Sequence, residues 1–219
     1  MLLNLLRNTL RQRPKSLRWR NLKDKKAEKD LYTIENMVHI LRWFCGTESN
    51  CSAIFQGFGR MLAFDAFVGA PDRHALNWGL VRSVKDRDSD LEFARLFDTA
   101  RGLFRELSDE VLSERVVRAT DDSYLKKYAE NSAPIFGIGT SKKISHFDLI
   151  EYALMTYPKE LASPICKFLK VIQVRNIEIM LQRRFRRIIS QTRIQCIARL
   201  LDYRFKRLCT IRDQIEASS

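Results

Sequence analysis

The sequence predicts a mainly α-helical domain with one small β-hairpin near its middle. Apolar residues recur at helical spacing over most of the chain, for example at Ile34, Val38 and Leu41. Only two short runs, WGLVRSV and LEFARLF, resemble strands, and the polar turn KDRDSD lies between them. The 219 residues, 45% of them hydrophobic, suffice for one domain with a sizeable core.

Positive charge is concentrated in two places. Residues 1–30 carry ten Lys and Arg against three acidic residues, whereas the whole chain has a net charge of +13. We therefore expect a basic N-terminal extension or linker over 1–30, and the folded domain over 31–219. The second cluster is RRFRRIISQTR, Arg183–Arg193. Such clusters attract phosphate, nucleic acid or an anionic membrane, but no DNA-binding motif accompanies these charges, so a solvated helix face is the simpler explanation.

The cysteines and the apolar segments predict the location of the protein. Five Cys are scattered through the chain without a CxxC pair, which predicts reduced thiols in an intracellular protein. No window approaches about 18 uninterrupted apolar residues, so we expect no transmembrane helix. The apolar run at the start is short and precedes the charges, unlike a signal peptide. We expect a cytoplasmic protein with no membrane partner.

Capping residues predict where the helices begin. Thr33 is placed to cap the first helix, and Tyr32 and Met37 are spaced as its hydrophobic staple. Pro71 is expected to end the second helix. Gly57 and Gly59 within that helix are expected to be close-packing sites. Four serines are predicted to cap later helices, one of them followed by a proline at the first helical position: Ser108, Ser145, Ser163 and Ser190.

The hairpin is flanked by polar residues in a specific order. A helix leads into the loop DRHALN, with Asp72 and Asn77 five residues apart, and the second strand leads into FDTARG with Asp98. This is the order of a kinase catalytic centre, in which an Asp accepts the proton of the incoming hydroxyl and an Asn and a further Asp bind Mg²⁺. A structural turn whose Asp and Asn satisfy backbone donors is the alternative.

The segments FDAFVGAPDRHALNWGLV and ARLFDTARGLF closely resemble the HipA-like kinases. Their loop motif has the form G-N-x-D-x-H-x-x-N and precedes an aromatic-Asp metal site. The segments KISHFDLI and IISQTRIQCIARLLDYRFKRL resemble the closing helices of HipA-like C-terminal domains, so the resemblance covers roughly Tyr32 to Leu208. Ala70 departs from the family, which often has Asn at that position, and Pro71 is expected to stiffen the turn instead.

The resemblance implies a protein-kinase-like C-terminal lobe that uses ATP and Mg²⁺ to phosphorylate a Ser or Thr hydroxyl of a protein. It implies Asp72 as catalytic base and Asn77 and Asp98 as ligands of the Mg²⁺–nucleotide. Asp65, a carboxylate on an apolar helix stripe, is expected to brace the loop. His74 is expected to pack or hydrogen-bond within the loop. Arg101 is expected to contact a phosphate or an acidic residue of the loop, although an exposed position is an alternative.

The upper lobe of a kinase is not evident in the sequence. The 71 residues before Asp72 contain no glycine-rich phosphate loop and no V-A-I-K strand. Three explanations stay open: a fragment of a longer gene, a split kinase completed by a partner that supplies the N-lobe, or a degenerate domain kept for binding. In the last case the basic clusters would bind nucleic acid or an acidic partner protein.

Overall fold

The computed structural model describes residues 32–45, 48–74, 76–85, 90–99, 101–141 and 143–218, so the expected extension over 1–30 lies outside it. Helices dominate the described residues. They are α1 (Ile34–Phe44), α2 (Glu48–Val68), α3 (Asp109–Leu112), α4 (Ser123–Glu130), α5 (His146–Thr156), α6 (Ser163–Val171), α7 (Val174–Phe185) and α8 (Gln191–Ser218). π-helical turns at Ser113–Val117 and Pro158–Ala162 continue α3 and lead into α6. None of the described helices combines the length and apolar character needed to cross a membrane.

The hairpin lies where the sequence predicts it. Strand β1 (Leu80–Val81) pairs antiparallel with β2 (Glu92–Phe93), and Leu80 lies opposite Phe93. Both strands are short, and they form a two-stranded sheet between the helical segments. The prediction of a mainly helical domain with one small hairpin is therefore confirmed.

Most of the predicted caps are present. Thr33 Oγ1 accepts a hydrogen bond from Asn36 N at 3.4 Å, and Ser108 Oγ accepts one from Val111 N at 3.4 Å. Ser145 forms a full capping box with Asp148, in which each side chain accepts from the other residue's backbone N–H. Ser190 Oγ accepts from Arg193 N at 3.1 Å at the start of α8. These helices begin at the predicted residues because each cap satisfies a free N–H group locally.

One predicted helix start is wrong. Ser163 does not cap α6, since the chain is already helical there, with φ −57° and ψ −51°, and the helical run begins with the π-turn at Pro158. Pro158 has no N–H group to satisfy, which suits the first helical position. The expected end of α2 just before Pro71 is confirmed, since the helix closes at Gly69 with φ 72°, where Gly69 N and Ala70 N both donate to Asp65 O. Glycine adopts this left-handed conformation without steric cost.

The prediction that all cysteines are free thiols is also wrong. Cys45 and Cys51 form a disulfide, with their Cα atoms 4.4 Å apart. They lie between the end of α1 and the first turns of α2, so the change of chain direction brings them together. Spacing alone did not indicate this pair because CxxxxxC is no recognised motif. The three other cysteines are free: Cys166, Cys196 and Cys209.

Helix α2 runs through the main core and packs against α1, α5, α6, α8 and β2. Its two predicted close-packing glycines are confirmed. A Cβ atom on Gly57 would lie 2.1 Å from Phe93 Cβ, and one on Gly59 would lie 2.5 Å from Pro164 Cγ. The two glycines therefore let the hairpin and α6 pack closely against different faces of the same helix. The carboxyl end of α2 leads directly into the DRHALN loop.

Candidate active site

The DRHALN loop is held by hydrogen bonds to its own backbone. Asn77 Nδ2 donates to Asp72 O at 2.8 Å, and Asn77 N donates to His74 O at 2.9 Å. Tyr32 Oη donates to Arg73 O at 2.8 Å, although Tyr32 precedes the loop by about forty residues. Asn77 is buried, whereas Asp72 is partly exposed at the surface of the loop. The loop thus presents Asp72 to solvent from a fixed backbone.

A buried ion pair ties the loop to α2. Arg73 Nε and Nη2 donate to Asp65 Oδ2 and Oδ1 at 2.8 and 2.7 Å, a bidentate arrangement. Both residues are almost fully buried, at 2% and 4% exposure. Burial raises the pKa of the Asp65 carboxyl, and the neighbouring Arg73 guanidinium opposes that rise. The pairing satisfies a carboxylate that would otherwise be costly to bury.

The same guanidinium also joins the loop to the segment after the hairpin. Arg73 Nη1 donates to Asn77 O and to Phe97 O, each at 2.8 Å. Asp98 follows Phe97 directly in the chain. One nitrogen atom therefore fixes the backbone at Asn77 beside the backbone that leads into Asp98.

The hairpin itself is anchored by aromatic packing. The Trp78 and Phe93 rings stack with centroids 5.6 Å apart and an interplanar angle of 11°. Ala94 N donates to Gly79 O at 2.8 Å, which extends the pairing beyond β1 and β2. Phe93 packs against Gly57 of α2. The hairpin is thus fixed to the helix that delivers the loop.

The segment that contains Asp98 has an unusual backbone. Asp98, Leu103 and Phe104 have φ values of 50°, 52° and 65°, and Gly102 has φ 147°. Non-glycine residues in this region cost about 1–3 kcal/mol each, and they are concentrated at functional sites. The fully buried Phe104 holds the end of the segment, where its N–H donates to Tyr128 Oη at 3.1 Å. The exposed Asp98 lies at the start of this constrained segment.

Arg101 points back to the loop from this segment. Its Nε lies 3.5 Å from Asp72 Oδ2, and the two side chains are 57% and 35% exposed. The pair is solvent-accessible, so its contribution to stability is small. The pair places a long cationic side chain next to the Asp72 carboxylate.

Buried polar groups bind the backbone at the end of α2, directly before the loop. His146 Nε2 lies 3.0 Å from Ala70 O, and Ser132 Oγ donates to Gly69 O at 3.2 Å. Arg204 on α8 donates from Nε to Ala66 O and from Nη1 to Ala129 O, each at 2.7 Å. Burial, together with the charge of Arg204, lowers the pKa of His146 to about 3. Burial also lowers the pKa of Arg204 to about 10, so this group still carries its charge at neutral pH.

Comparison with known proteins identifies the fold. No protein-family model matches the chain, and no curated protein matches it either. The structure is similar to the crystal structure of the proinflammatory kinase CtkA of Helicobacter pylori, with a TM-score of 0.68 and 18% sequence identity. This chain has a kinase-like fold. The similarity covers 86% of this chain and 62% of the length of CtkA. Identity this low establishes a shared fold and nothing about activity.

Within the kinase-like fold, the structure brings together most of the residues singled out in the sequence. Asp72 and Asn77 are joined by a hydrogen bond, and the backbone before Asp98 meets Asn77 at Arg73. The expected role of Asp65 as a brace is confirmed by its ion pair. Arg101 contacts an acidic residue of the loop, as expected.

His74 lies within the loop, as the sequence predicts. Its Nδ1 accepts a hydrogen bond from Leu76 N at 3.2 Å. This contact stabilises the turn two residues further along the chain. This local contact gives His74 a structural role within the loop.

Sequence reasoning missed Arg73 and Arg204. Arg73 lies inside the quoted motif, and the signal for its role was Asp65, a buried-face carboxylate that needed a cation. Arg204 falls on the apolar face of α8 between Leu201 and Leu208, and it is fully buried. A charged residue on the apolar face of a helix could have indicated this role, because such a residue is rarely buried without specific partners.

Proposed function

We propose that this chain is the catalytic lobe of a HipA-like, Mg²⁺–ATP-dependent kinase that phosphorylates a Ser or Thr hydroxyl of a protein. The observation that carries the proposal is the convergence of the two functional segments on Arg73. Its Nη1 holds the backbone of Asn77 beside the residue that precedes Asp98. This proximity supports the proposal, because in a kinase the loop Asn and the Asp after the hairpin share one metal–nucleotide site.

The side chains suit Mg²⁺. The described residues contain no group of three or more His, Cys, Asp and Glu side chains that could hold a metal. Mg²⁺ needs no such group, since it is usually held by one or two protein oxygens together with phosphates and water. Asn77 uses its Nδ2 to bind Asp72 O, so its amide oxygen would be the metal ligand, and the exposed Asp98 would supply a carboxylate. When bound, the ion would neutralise charge on the nucleotide phosphates.

Asp72 would accept the proton of the acceptor hydroxyl. Its carboxylate is exposed enough to receive that hydroxyl, while its backbone is fixed by Asn77. A cleft of about 520 Å³ opens beside it, between the α2 end and α4, and includes Pro71 and Gly102 in its lining. This cleft would receive the residues next to the acceptor. Arg101 would exchange its contact with Asp72 for one with the transferred phosphoryl group.

Activity would require a second lobe that covers the nucleotide. The two described strands are too short to form such a lobe. The hairpin side of the site exposes five large apolar side chains: Leu76, Val81, Val84, Leu96 and Phe97. Several exposed apolar side chains beside a candidate site are typical of an interaction surface. The covering lobe would come from another part of the same polypeptide or from a partner chain.

Phosphoryl transfer by the completed protein tests the proposal. The isolated chain should bind Mg²⁺–ATP weakly, and transfer should appear once a strand-rich covering lobe is joined to it or added. Asp72→Asn should reduce transfer at least a hundredfold with nucleotide binding retained, since general-base catalysis is worth about 10²–10⁴-fold. Asp98→Asn should weaken Mg²⁺–nucleotide binding as well. The exposed Arg95 supplies the control Arg95→Gln. Transfer that persists undiminished in Asp72→Asn would contradict the assignment.

The second candidate is a non-catalytic basic module that binds nucleic acid or an acidic protein. The observation in its favour is the group of exposed arginines at the end of α7. It predicts no transfer in the completed protein, and binding to DNA or RNA that weakens steeply with salt through counterion release.

A further inference from the structure

Helix α7 is poorly buried for its composition. None of its twelve residues is buried. Six of them are large and apolar: Val174, Ile177, Ile179, Met180, Leu181 and Phe185. The helix packs against α8, and Met180 and Phe185 remain 38% and 37% exposed. A helix of this kind retains apolar surface for another partner.

The end of α7 adds a dense positive charge. Residues 183–188, here called the basic turn, have the sequence RRFRRI, and all six are exposed. No described acidic side chain forms an ion pair with any of its four arginines, whereas Arg175 at the other end of α7 pairs with Glu178. Ile188 is 81% exposed among these charges. The helix dipole favours cations at a helix end, but it does not explain an exposed isoleucine there.

The basic turn has a defined shape. Ile188 N and Ile189 N both donate to Phe185 O at 2.8 Å. Ser190, which directly follows Ile189, caps α8. The arginines and Ile188 are thus carried by a closed turn between two helices. They form a surface that needs no ordering of the backbone before it binds.

We propose that α7 and the basic turn bind the surface of a membrane that contains anionic lipids. Four clustered arginines match anionic headgroups, and the exposed Phe185 and Ile188, which lie among them, can enter the boundary with the acyl chains. The phosphate backbone of a nucleic acid would satisfy the arginines but would leave these apolar side chains in water. The expectation of no membrane partner rested on the lack of a spanning segment, and a peripheral surface requires none.

Vesicle binding by the full chain tests this proposal independently of kinase activity. The probes are vesicles with about one-third phosphatidylserine in phosphatidylcholine, and pure phosphatidylcholine vesicles, at about 0.1 M salt. Each juxtamembrane arginine contributes roughly fivefold to affinity for an anionic surface. The variant R183Q/R184Q/R186Q/R187Q should therefore lose at least a hundredfold in partitioning onto the anionic vesicles. Ile188→Ser should lose severalfold, and binding to neutral vesicles should be weak throughout.

The matched control removes the same charge elsewhere. Four exposed lysines on α4, the second π-turn and α6 give K126Q/K159Q/K167Q/K170Q. This variant should lose less than tenfold, since its charges are scattered. An equal loss in both quadruple variants would overturn the proposal and indicate general attraction of a basic protein. Absence of vesicle binding would also overturn it. So would binding to duplex DNA or RNA in preference to vesicles, with no effect of Ile188→Ser.

Discussion

The guanidinium of Arg73 connects three segments that are distant in the sequence. It binds the Asp65 carboxylate on α2, the carbonyl of Asn77 in the loop and the carbonyl of Phe97 after the hairpin. That Asp65 would brace the loop was predictable, because a carboxylate on an apolar stripe needs a partner. The identity of the partner was not, since Arg60, Arg73 and Arg82 were all available nearby in sequence.

Removal of the Arg73 side-chain charge should therefore destabilise the whole domain. Arg73→Met leaves a buried carboxylate unpaired, which typically costs about 3–5 kcal/mol in the free energy of unfolding. The double variant Asp65→Leu/Arg73→Met should recover part of this loss because no charge remains buried. Urea denaturation measures both, and Arg95→Gln at an exposed site should change stability by less than about 0.5 kcal/mol. A single variant as stable as the double would contradict the role of the ion pair.

His146 makes the stability of the domain depend on pH. Burial and Arg204 lower the pKa of His146 to about 3, so it stays neutral in the folded protein over most of the acidic range. In the unfolded chain the same group has its ordinary pKa of 6.5. Because the unfolded state binds the proton first, the stabilising contribution is present above pH 6.5 and is lost progressively below it.

Acidification should thus weaken folding before the carboxylates titrate. Between pH 7 and pH 5 the free energy of unfolding should fall by about 2 kcal/mol from this histidine alone. His146→Gln should remove most of that slope, whereas His39→Gln at an exposed position should leave it intact. Denaturant titrations at both pH values provide the measurement. A slope unchanged in His146→Gln would show that other groups cause the pH dependence.

At the scale of elements, features that depend on neighbouring residues were predictable from the sequence, whereas features that depend on tertiary contacts mostly were not. The caps at Thr33, Ser108 and Ser145 were predictable because they involve residues within three positions of each other. The cap at Ser163 was wrong because the π-turn that starts at Pro158 extends the helix backwards. The hairpin was predictable from its strand runs. The residues that dock it on α2 required coordinates, although Gly57 was expected to be a close-packing site.

Gly57 controls the position of the hairpin. In Gly57→Ala the new Cβ would lie 2.1 Å from Phe93 Cβ, so β2 must move away from α2. Overpacking of this kind typically costs about 1–3 kcal/mol. Hydrogen exchange at Ala94 N, which donates to Gly79 O, should accelerate more than exchange within α5. Gly79→Ala is the matched control, since nothing lies within 4 Å of its Cβ position. Equal exchange rates in the two variants would contradict this account.

At the scale of the whole molecule, the order of motifs was more informative than composition. The sequence of helix, DRHALN loop, hairpin and FDTARG predicted a kinase-like fold, which the similarity to CtkA confirms. Composition predicted reduced cysteines, and the Cys45–Cys51 disulfide contradicts it. The exposure of the five apolar side chains beside the candidate site was not predictable, because strand alternation does not tell which face of a two-stranded hairpin has a partner.

These side chains yield a prediction about the covering lobe that we propose. Leu76 and Val84 are 68% and 95% exposed, so Leu76→Ser/Val84→Ser should change the stability of the isolated chain by less than about 0.5 kcal/mol. In the completed protein the same variant should weaken binding of the covering lobe at least tenfold, because buried apolar anchors dominate interface affinity. Met155 and Val171, 65% and 74% exposed on α5 and α6, provide the control Met155→Ser/Val171→Ser. Calorimetric titration of the lobe into each variant measures the difference. If the control weakened binding and the Leu76/Val84 variant did not, the covering lobe would have to dock on another face of the molecule.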